Sequence, residues 1–268
     1  MNDTSRSHQS EQVDRAFSEQ SPVFDELDRE PLIQWVRERV RTAVRPWFIP
    51  GKRLLEINCG TGIDSIHFAA EGMDVTATDH APGMVETLVR KAGTAGIRNL
   101  RVFRHSFLEL EAFEGPPYDL VFSNFGGINC TDRLDLVLRG IDAKLKSGGV
   151  CALVIMPRTS PWELIELFRG HVAFAFRRYS AAGADARVEG VPFRCWYHSV
   201  RDVRRILPHY RILDRMALSF FVPPPHLSPF ATRHPRLVER AKRIEQRMCR
   251  WPWIRSRGDH YLIILRKP

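Results

Sequence analysis

Apolar positions along the chain follow two rhythms. Residues 53–57, 73–79, 100–104, 118–124, 150–156, 210–216 and 260–265 are short runs rich in Leu, Val, Ile and Phe, bounded by Gly, Pro, Asn or charged residues. Runs of that length read as buried strands. Elsewhere apolar residues return every three or four positions: Ile63, Ile66, Ala69 and Ala70, then Met84, Leu88 and Ala92, then the segment 134–145. That spacing gathers them on one helical face. Strands alternating with helices predict an α/β fold, a Rossmann-like doubly wound sheet covered on both faces.

The flanks carry further elements. Residues 1–12 are polar and are expected to be disordered. A helical pattern begins at Val13 and includes Phe17; Phe24-Asp25 follows. After Pro31, Leu32, Ile33, Val36, Val40 and Val44 repeat at helical spacing, with Trp35 beside them. Residues 162–168 read as a helix, 174–193 as a hairpin or loop insertion, and 194–198 as a strand. Ser199 can cap a helix over 200–207. Phe221-Val222-Pro223-Pro224-Pro225 cannot lie in a central strand. Leu237, Ala241, Ile244, Met248 and Trp251 then mark the apolar stripe of a basic amphipathic helix. The chain divides into a helical segment, 1–45, and one α/β domain, 46–268, with insertions at 158–198 and 219–258.

Charge changes the picture in one place. Of the net +9, residues 232–257 contribute +7, nine Lys or Arg against two Glu, while residues 1–30 carry eight acids against three bases. The positive balance is therefore one feature and not a property of the whole surface. A solvated basic face, an anionic membrane surface or an acidic partner would each suit it. No aromatic-studded strand or recognition motif accompanies the charge, which argues against nucleic acid. The five cysteines include no C-x-x-C pair, and no His/Cys/Asp cluster has metal-ligand spacing, so no metal is expected. No apolar run is long enough to cross a bilayer and the first residues lack a signal-peptide pattern, so a cytoplasmic location is expected.

The chemistry concentrates where the first strand ends. Glu56-Ile57-Asn58-Cys59-Gly60-Thr61-Gly62 leads from strand into helix. Gly60 and Gly62 permit a sharp turn and close approach of a ligand to the main chain. The second strand ends in Asp79, placed where nucleotide-type folds grip both ribose hydroxyls. The third glycine of the dinucleotide fingerprint is replaced by Ser65, which argues against NAD or FAD.

Leu-Leu-Glu-Ile-Asn-Cys-Gly-Thr-Gly, followed by Val-Thr-Ala-Thr-Asp-His-Ala-Pro-Gly-Met, resembles the class I S-adenosylmethionine (SAM) dependent methyltransferases of the small-molecule type. Lys146-Ser147-Gly148-Gly149 before a strand resembles a third motif of that family, and the likeness runs from Leu54 to Pro157. It implies a strand order 3-2-1-4-5-7-6 with the last strand antiparallel. It implies SAM as cofactor and S-adenosylhomocysteine as product, held by Glu56, Asn58, Gly60, Gly62, Asp79, His80, Met84, Ser106, Phe107, Asn124 and Phe125. Asn58 stands where the family's first glycine is usual, and Ser106 where an acid usually receives the adenine amino group. The 1–45 segment would fold over the site as a lid, and Phe17, Phe24, Asn129 and Trp196 would line an acceptor pocket. Segment 118–130 lacks the Asn/Asp-Pro-Pro-Tyr/Phe pattern of the base and glutamine methylases. His171, Tyr179, Tyr197 and His198 are candidate bases, and many such enzymes need none. The expected function is methyl transfer to oxygen, nitrogen or carbon of a small aromatic or lipophilic metabolite. The alternatives are an RNA methyltransferase using the basic helix and a SAM-binding protein without turnover.

Overall fold

The computed structural model describes residues 3–268. Three helices open the chain: α1 (Asp3–Gln20), α2 (Phe24–Asp28) and α3 (Pro31–Val44). The alternation read from the sequence follows as β1 (Arg53–Ile57), α4 (Ile63–Ala70), β2 (Asp74–Asp79), α5 (Pro82–Thr94), β3 (Leu100–Arg104), β4 (Tyr118–Ser123), α6 (Leu134–Lys144) and β5 (Leu145–Ile155). The first insertion holds the short helices α7 (Pro161–Leu164) and α8 (Val172–Phe176) and the hairpin β6 (Ala184–Val188) and β7 (Val191–Cys195). Helix α9 (Val200–Ile206) and β8 (Arg211–Leu218) return to the main sheet. The second insertion holds α10 (Ser228–Arg233) and α11 (Pro235–Met248), and β9 (His260–Arg266) closes the fold.

The main sheet has seven strands in the order β3-β2-β1-β4-β5-β9-β8, and β9 runs antiparallel between β5 and β8. Apart from the hairpin strands, this is the expected 3-2-1-4-5-7-6. Side chains alternate across it, as strand geometry requires. Leu54, Val75, Leu120, Phe122 and Ala152 face one core, beneath Val36, Val40, Phe68 and Leu88. Leu55, Ile57, Val121, Cys151 and Leu153 face the other, beneath Val137, Ile141 and Val203.

Two readings of the flanks need correction. Residues 3–12 are helical, not disordered: the Gln9 amide donates to the carbonyls of Cys130 (3.2 Å) and Arg194 (2.9 Å) and accepts from the Arg194 amide (3.0 Å). The two residues before Asp3 lie outside the described ones. The strand expected at 194–198 ends at Cys195, because its hairpin partner runs out at Ala184. The capping of α9 by Ser199 is present, as a reciprocal box with Asp202.

Candidate active site

The site is built at the carboxyl ends of β1, β2, β4 and β5, the edge where open parallel sheets place ligands. Beyond Ile57 the backbone passes through Asn58, Gly60 and Gly62 with φ of 49°, 56° and 76°. Asn tolerates the left-handed region better than most residues. Here its side chain also links two strand tips: Asn58 donates to the Asn124 carbonyl at 3.3 Å and accepts from the Ser123 hydroxyl at 2.7 Å. Gly127 lies against it, where a Cβ would have no room.

At the tip of β2 the Asp79 carboxylate accepts the Gly60 amide on Oδ2 (2.8 Å) and the Ala81 amide on Oδ1 (3.0 Å). One carboxylate therefore fixes both the glycine turn and the start of α5. Burial raises its pKa, against the two amide bonds that favour the charge. Next to it, His80 Nδ1 lies 2.6 Å from Asp14 of α1, a bond that raises the His80 pKa and ties α1 to the β2 tip.

Helices α1 to α3 roof this edge and enclose a cavity of about 860 Å³. The Phe24 ring lies over Gly60. Asp25 accepts from the Thr61 hydroxyl and, at 2.5 Å, from the Lys91 ammonium. Phe17 is tilted against Phe193 of the hairpin with ring centroids 5.9 Å apart. The walls are mostly apolar: Val13, Phe17, Phe24, Leu27, Ile33, Met84, Phe107, Phe125, Met156 and Phe193. One end is different. The buried Arg37 guanidinium bonds Asp28 (3.2 Å from Nε, 2.5 Å from Nη2) and Asp64, and stacks 4.7 Å from the Phe125 ring. Asp64 also accepts from Arg41 and from Asn124, each at 2.8 Å. Burial opposes the Arg37 charge, but Asp64 and Asp28 hold its pKa above the usual value.

With this geometry in view, the likeness to known proteins becomes informative. Residues 54–149 match the family described as "Methyltransferase domain". That segment is similar to a methyltransferase domain. It contains the glycine turn, Asp79, Phe107 and the β4 tip. The chain is 31% identical over 115 residues to malonyl-[acyl-carrier protein] O-methyltransferase of Anoxybacillus flavithermus, a stretch covering 42% of this chain and 40% of that protein. It is 32% identical over 144 residues to demethylmenaquinone methyltransferase of Clavibacter sepedonicus, covering 52% of this chain and 55% of that one. The matches thus span about half the length of these relatives or less. Among solved structures, 1,6-didemethyltoxoflavin-N1-methyltransferase of Burkholderia thailandensis, with its substrate and S-adenosylhomocysteine bound, aligns over 96% of this chain and 87% of its own. Its TM-score is 0.55 at 15% identity, a likeness of fold.

The matched segment and its roof bring most of the expected cofactor residues to one cavity: Asn58, Gly60, Asp79, His80, Met84, Phe107, Asn124 and Phe125 all line it, as do Phe17 and Phe24. Others are turned to different work. Glu56 is buried beneath the turn and accepts from the Ser65 hydroxyl; burial, then repulsion from Asp64, pushes its pKa well up. Gly62 has no room for a Cβ beside Leu88 and is a packing glycine. Ser106 accepts the Leu108 amide at 3.2 Å, capping a 3-10 turn, and does not line the cavity. Asn129 is not a pocket residue: it donates to the carbonyls of Met156 (3.1 Å) and Trp196 (2.5 Å) and accepts the Met156 amide (2.9 Å). Trp196 packs on Gly183.

The four candidate bases also stand off the cavity wall. His171 bonds Glu166 at 2.7 Å and is exposed. Tyr179 bonds Thr159 at 2.9 Å. Tyr197 lies under Arg178, 4.9 Å from its ring centroid. His198 is buried, with its pKa lowered to about 4 chiefly by desolvation. Among the described residues no group of three or more His, Cys, Asp or Glu is placed to hold a metal ion, and no helix is long and apolar enough to cross a membrane.

Sequence reasoning missed Arg37, Asp14, Met156, Phe193, Cys130 and Cys195, all on the cavity wall. For Arg37 a signal existed. It falls inside the helical arc marked by Leu32, Ile33, Val36, Val40 and Val44, and a charge within an apolar stripe requires a buried partner. The hairpin residues carried no such mark.

Proposed function

We propose that this chain is a SAM-dependent methyltransferase acting on oxygen, nitrogen or carbon of a small, lipophilic or aromatic acceptor. The observation that carries this reading is the Asp79 carboxylate. It faces the cavity with acceptor capacity left after its two amide bonds, one glycine turn away from the Arg37–Asn124 end. The cavity has room for a nucleoside and a second small molecule. The residues fit such a cofactor: a sugar diol on Asp79, an adenine between Met84 and Phe107, and the amino-acid end near Gly60, Asn124 and Arg37. When bound, the sulfonium supplies an activated methyl group for in-line displacement.

The chain's own work is alignment and exclusion of water. Phe17, Phe193, Met156, Cys130 and Cys195 would form the acceptor wall, and their apolar character selects the substrate class. None of the histidines or tyrosines first considered as bases reaches the wall. An acceptor that needs deprotonation would therefore lose its proton before binding or to water, unless Asp14 or His80 serves. Of the two curated relatives' names, demethylmenaquinone methyltransferase agrees with an apolar acceptor, while malonyl-[acyl-carrier protein] O-methyltransferase names transfer to oxygen.

The test is calorimetry with S-adenosylhomocysteine, followed by methyl-labelled SAM in a cell extract with identification of the labelled product. Binding with label in a small lipophilic compound supports the reading. Label in RNA would favour the alternative acceptor, and binding without label would favour a cofactor-binding protein.

A further inference from the structure

The second insertion packs one side of α11 onto the body and leaves another side bare. Val238 belongs to an apolar cluster with Leu32 of α3 and Val222, and Ala241 packs against that cluster. Glu245 is fully buried and accepts the amides of Ser219 (2.6 Å), Phe221 and Val222 (both 2.9 Å). The inner seam is therefore Val238, Ala241, Glu245 and Met248. Away from it, Leu237 and Ile244 stand two turns apart on one line, 53% and 43% exposed. Trp251 and Trp253, in the turn after the helix, are 54% and 78% exposed. Beside that line run Arg236, Arg240, Arg243 and Arg247, at i, i+4, i+7 and i+11. All four are exposed, and none pairs with a carboxylate among the described residues; the ion pair on this helix joins Lys242 to Glu239.

We propose that this face docks on an anionic lipid bilayer. Four uncompensated guanidiniums complement a layer of headgroup phosphates. Two aliphatic side chains and two indoles in the same surface suit the boundary between headgroup and acyl chain. A ribose-phosphate backbone would answer the arginines and leave Leu237 and Ile244 in water. A folded acidic partner would need apolar sockets in register with them, whereas a fluid interface adapts to them.

The placement also serves the site. The Ser228 hydroxyl donates to Glu30 at 2.8 Å, and Glu30 and Pro225 both line the cavity. The insertion that carries the docked face therefore reaches the cavity's outer wall through α10 and the loop before it. The docking itself does not depend on methyl transfer, and the test reads it without turnover.

The experiment is sedimentation of the full chain with vesicles of phosphatidylglycerol and phosphatidylcholine, against phosphatidylcholine alone, over a salt series. Binding to the anionic vesicles is expected, with a blue shift of tryptophan emission and a fall as salt screens the contact. Replacing Arg236, Arg240, Arg243 and Arg247 together by Gln should lower partitioning on the order of 100-fold or more. The pair Leu237→Ser and Ile244→Ser should weaken the binding that survives high salt. S-adenosylhomocysteine affinity and the far-ultraviolet spectrum should stay unchanged in both variants, which separates loss of docking from loss of fold. Equal binding to neutral vesicles, variants that bind like the parent, or retention by RNA or an acidic protein without vesicle binding would each overturn the proposal.

Discussion

Replacing Asp79 tests the site most directly, because one carboxylate holds both the turn and the proposed sugar contact. Its oxygens accept the Gly60 and Ala81 amides at 2.8 and 3.0 Å, so Asp79→Ala removes two structural bonds as well as a ribose partner. Asp79→Asn is milder. Its carbonyl oxygen can keep one amide, while its NH₂ group meets the other. A diol on a carboxylate makes two charge-assisted hydrogen bonds, and their loss at a partly wet site costs about 1–3 kcal/mol in total. That corresponds to roughly 5- to 150-fold weaker binding. Calorimetric titration with S-adenosylhomocysteine measures it. Gly62→Ala is the control for damage to the turn, since it strains the same loop without touching the sugar acceptor. Weaker binding in Asp79→Asn at a melting temperature matching Gly62→Ala would support the assignment. Unchanged affinity in a folded Asp79→Asn would refute it.

Three further outcomes follow from the buried charges and the turn. Arg37→Leu leaves Asp28 and Asp64 facing each other without their shared cation. Breaking a buried pair in this way costs about 3–5 kcal/mol, or roughly 6–20 °C in melting temperature for a domain near this size; a shift under 2 °C in scanning calorimetry would contradict the network. Gly62→Ala places a methyl group against Leu88 at a φ of 76° and should destabilise the fold by about 2–4 kcal/mol, read by denaturant unfolding. His198 is buried and neutral, with its pKa lowered to about 4 mainly by desolvation. The unfolded chain takes up that proton near the ordinary histidine value of about 6.5. The stability is therefore fully present above pH 6.5 and is lost as pH falls towards 4. His198→Gln should flatten the fall in melting temperature over that window, and an unchanged slope would assign the acid sensitivity elsewhere.

How much of this was legible in the sequence depended on where each residue's partners lie. The β1 turn, Asp79 and the α5 stripe of Met84, Leu88 and Ala92 were readable because their pattern is local. Helix α1 was not. Its polar face gave no apolar stripe, and what holds it is Gln9 bonded to the backbone 121 and 185 residues away. In α11 the period was right and the phase was wrong. A glutamate beside an isoleucine reads as solvent-facing, yet Glu245 is buried because three amides of the preceding loop converge on it, and Ile244 is turned outward. Ser106 caps a 3-10 turn through the Leu108 amide and lies off the cavity wall, a local role that the family pattern does not announce.

The roof makes these contacts more than a count of walls. Asp25 on Thr61 and Lys91, Asp14 on His80, and Gln9 on the Cys130 and Arg194 backbone fasten α1 and α2 to the turn, to the β2 tip and to the hairpin. These fastenings meet the proposed cofactor end and acceptor end of one cavity. These helices and α3 present Phe17, Phe24 and Arg37 to its interior. In the proposed reading, a ligand at either end would touch elements that also form the other end. Positive coupling is then the expected outcome, read as a rise in S-adenosylhomocysteine affinity when the acceptor is present. Helices this polar close over the sheet because the bonds that seat them end on strand tips and loops, where the ligands also lie. Closure and occupancy of the cavity then draw on one set of interactions.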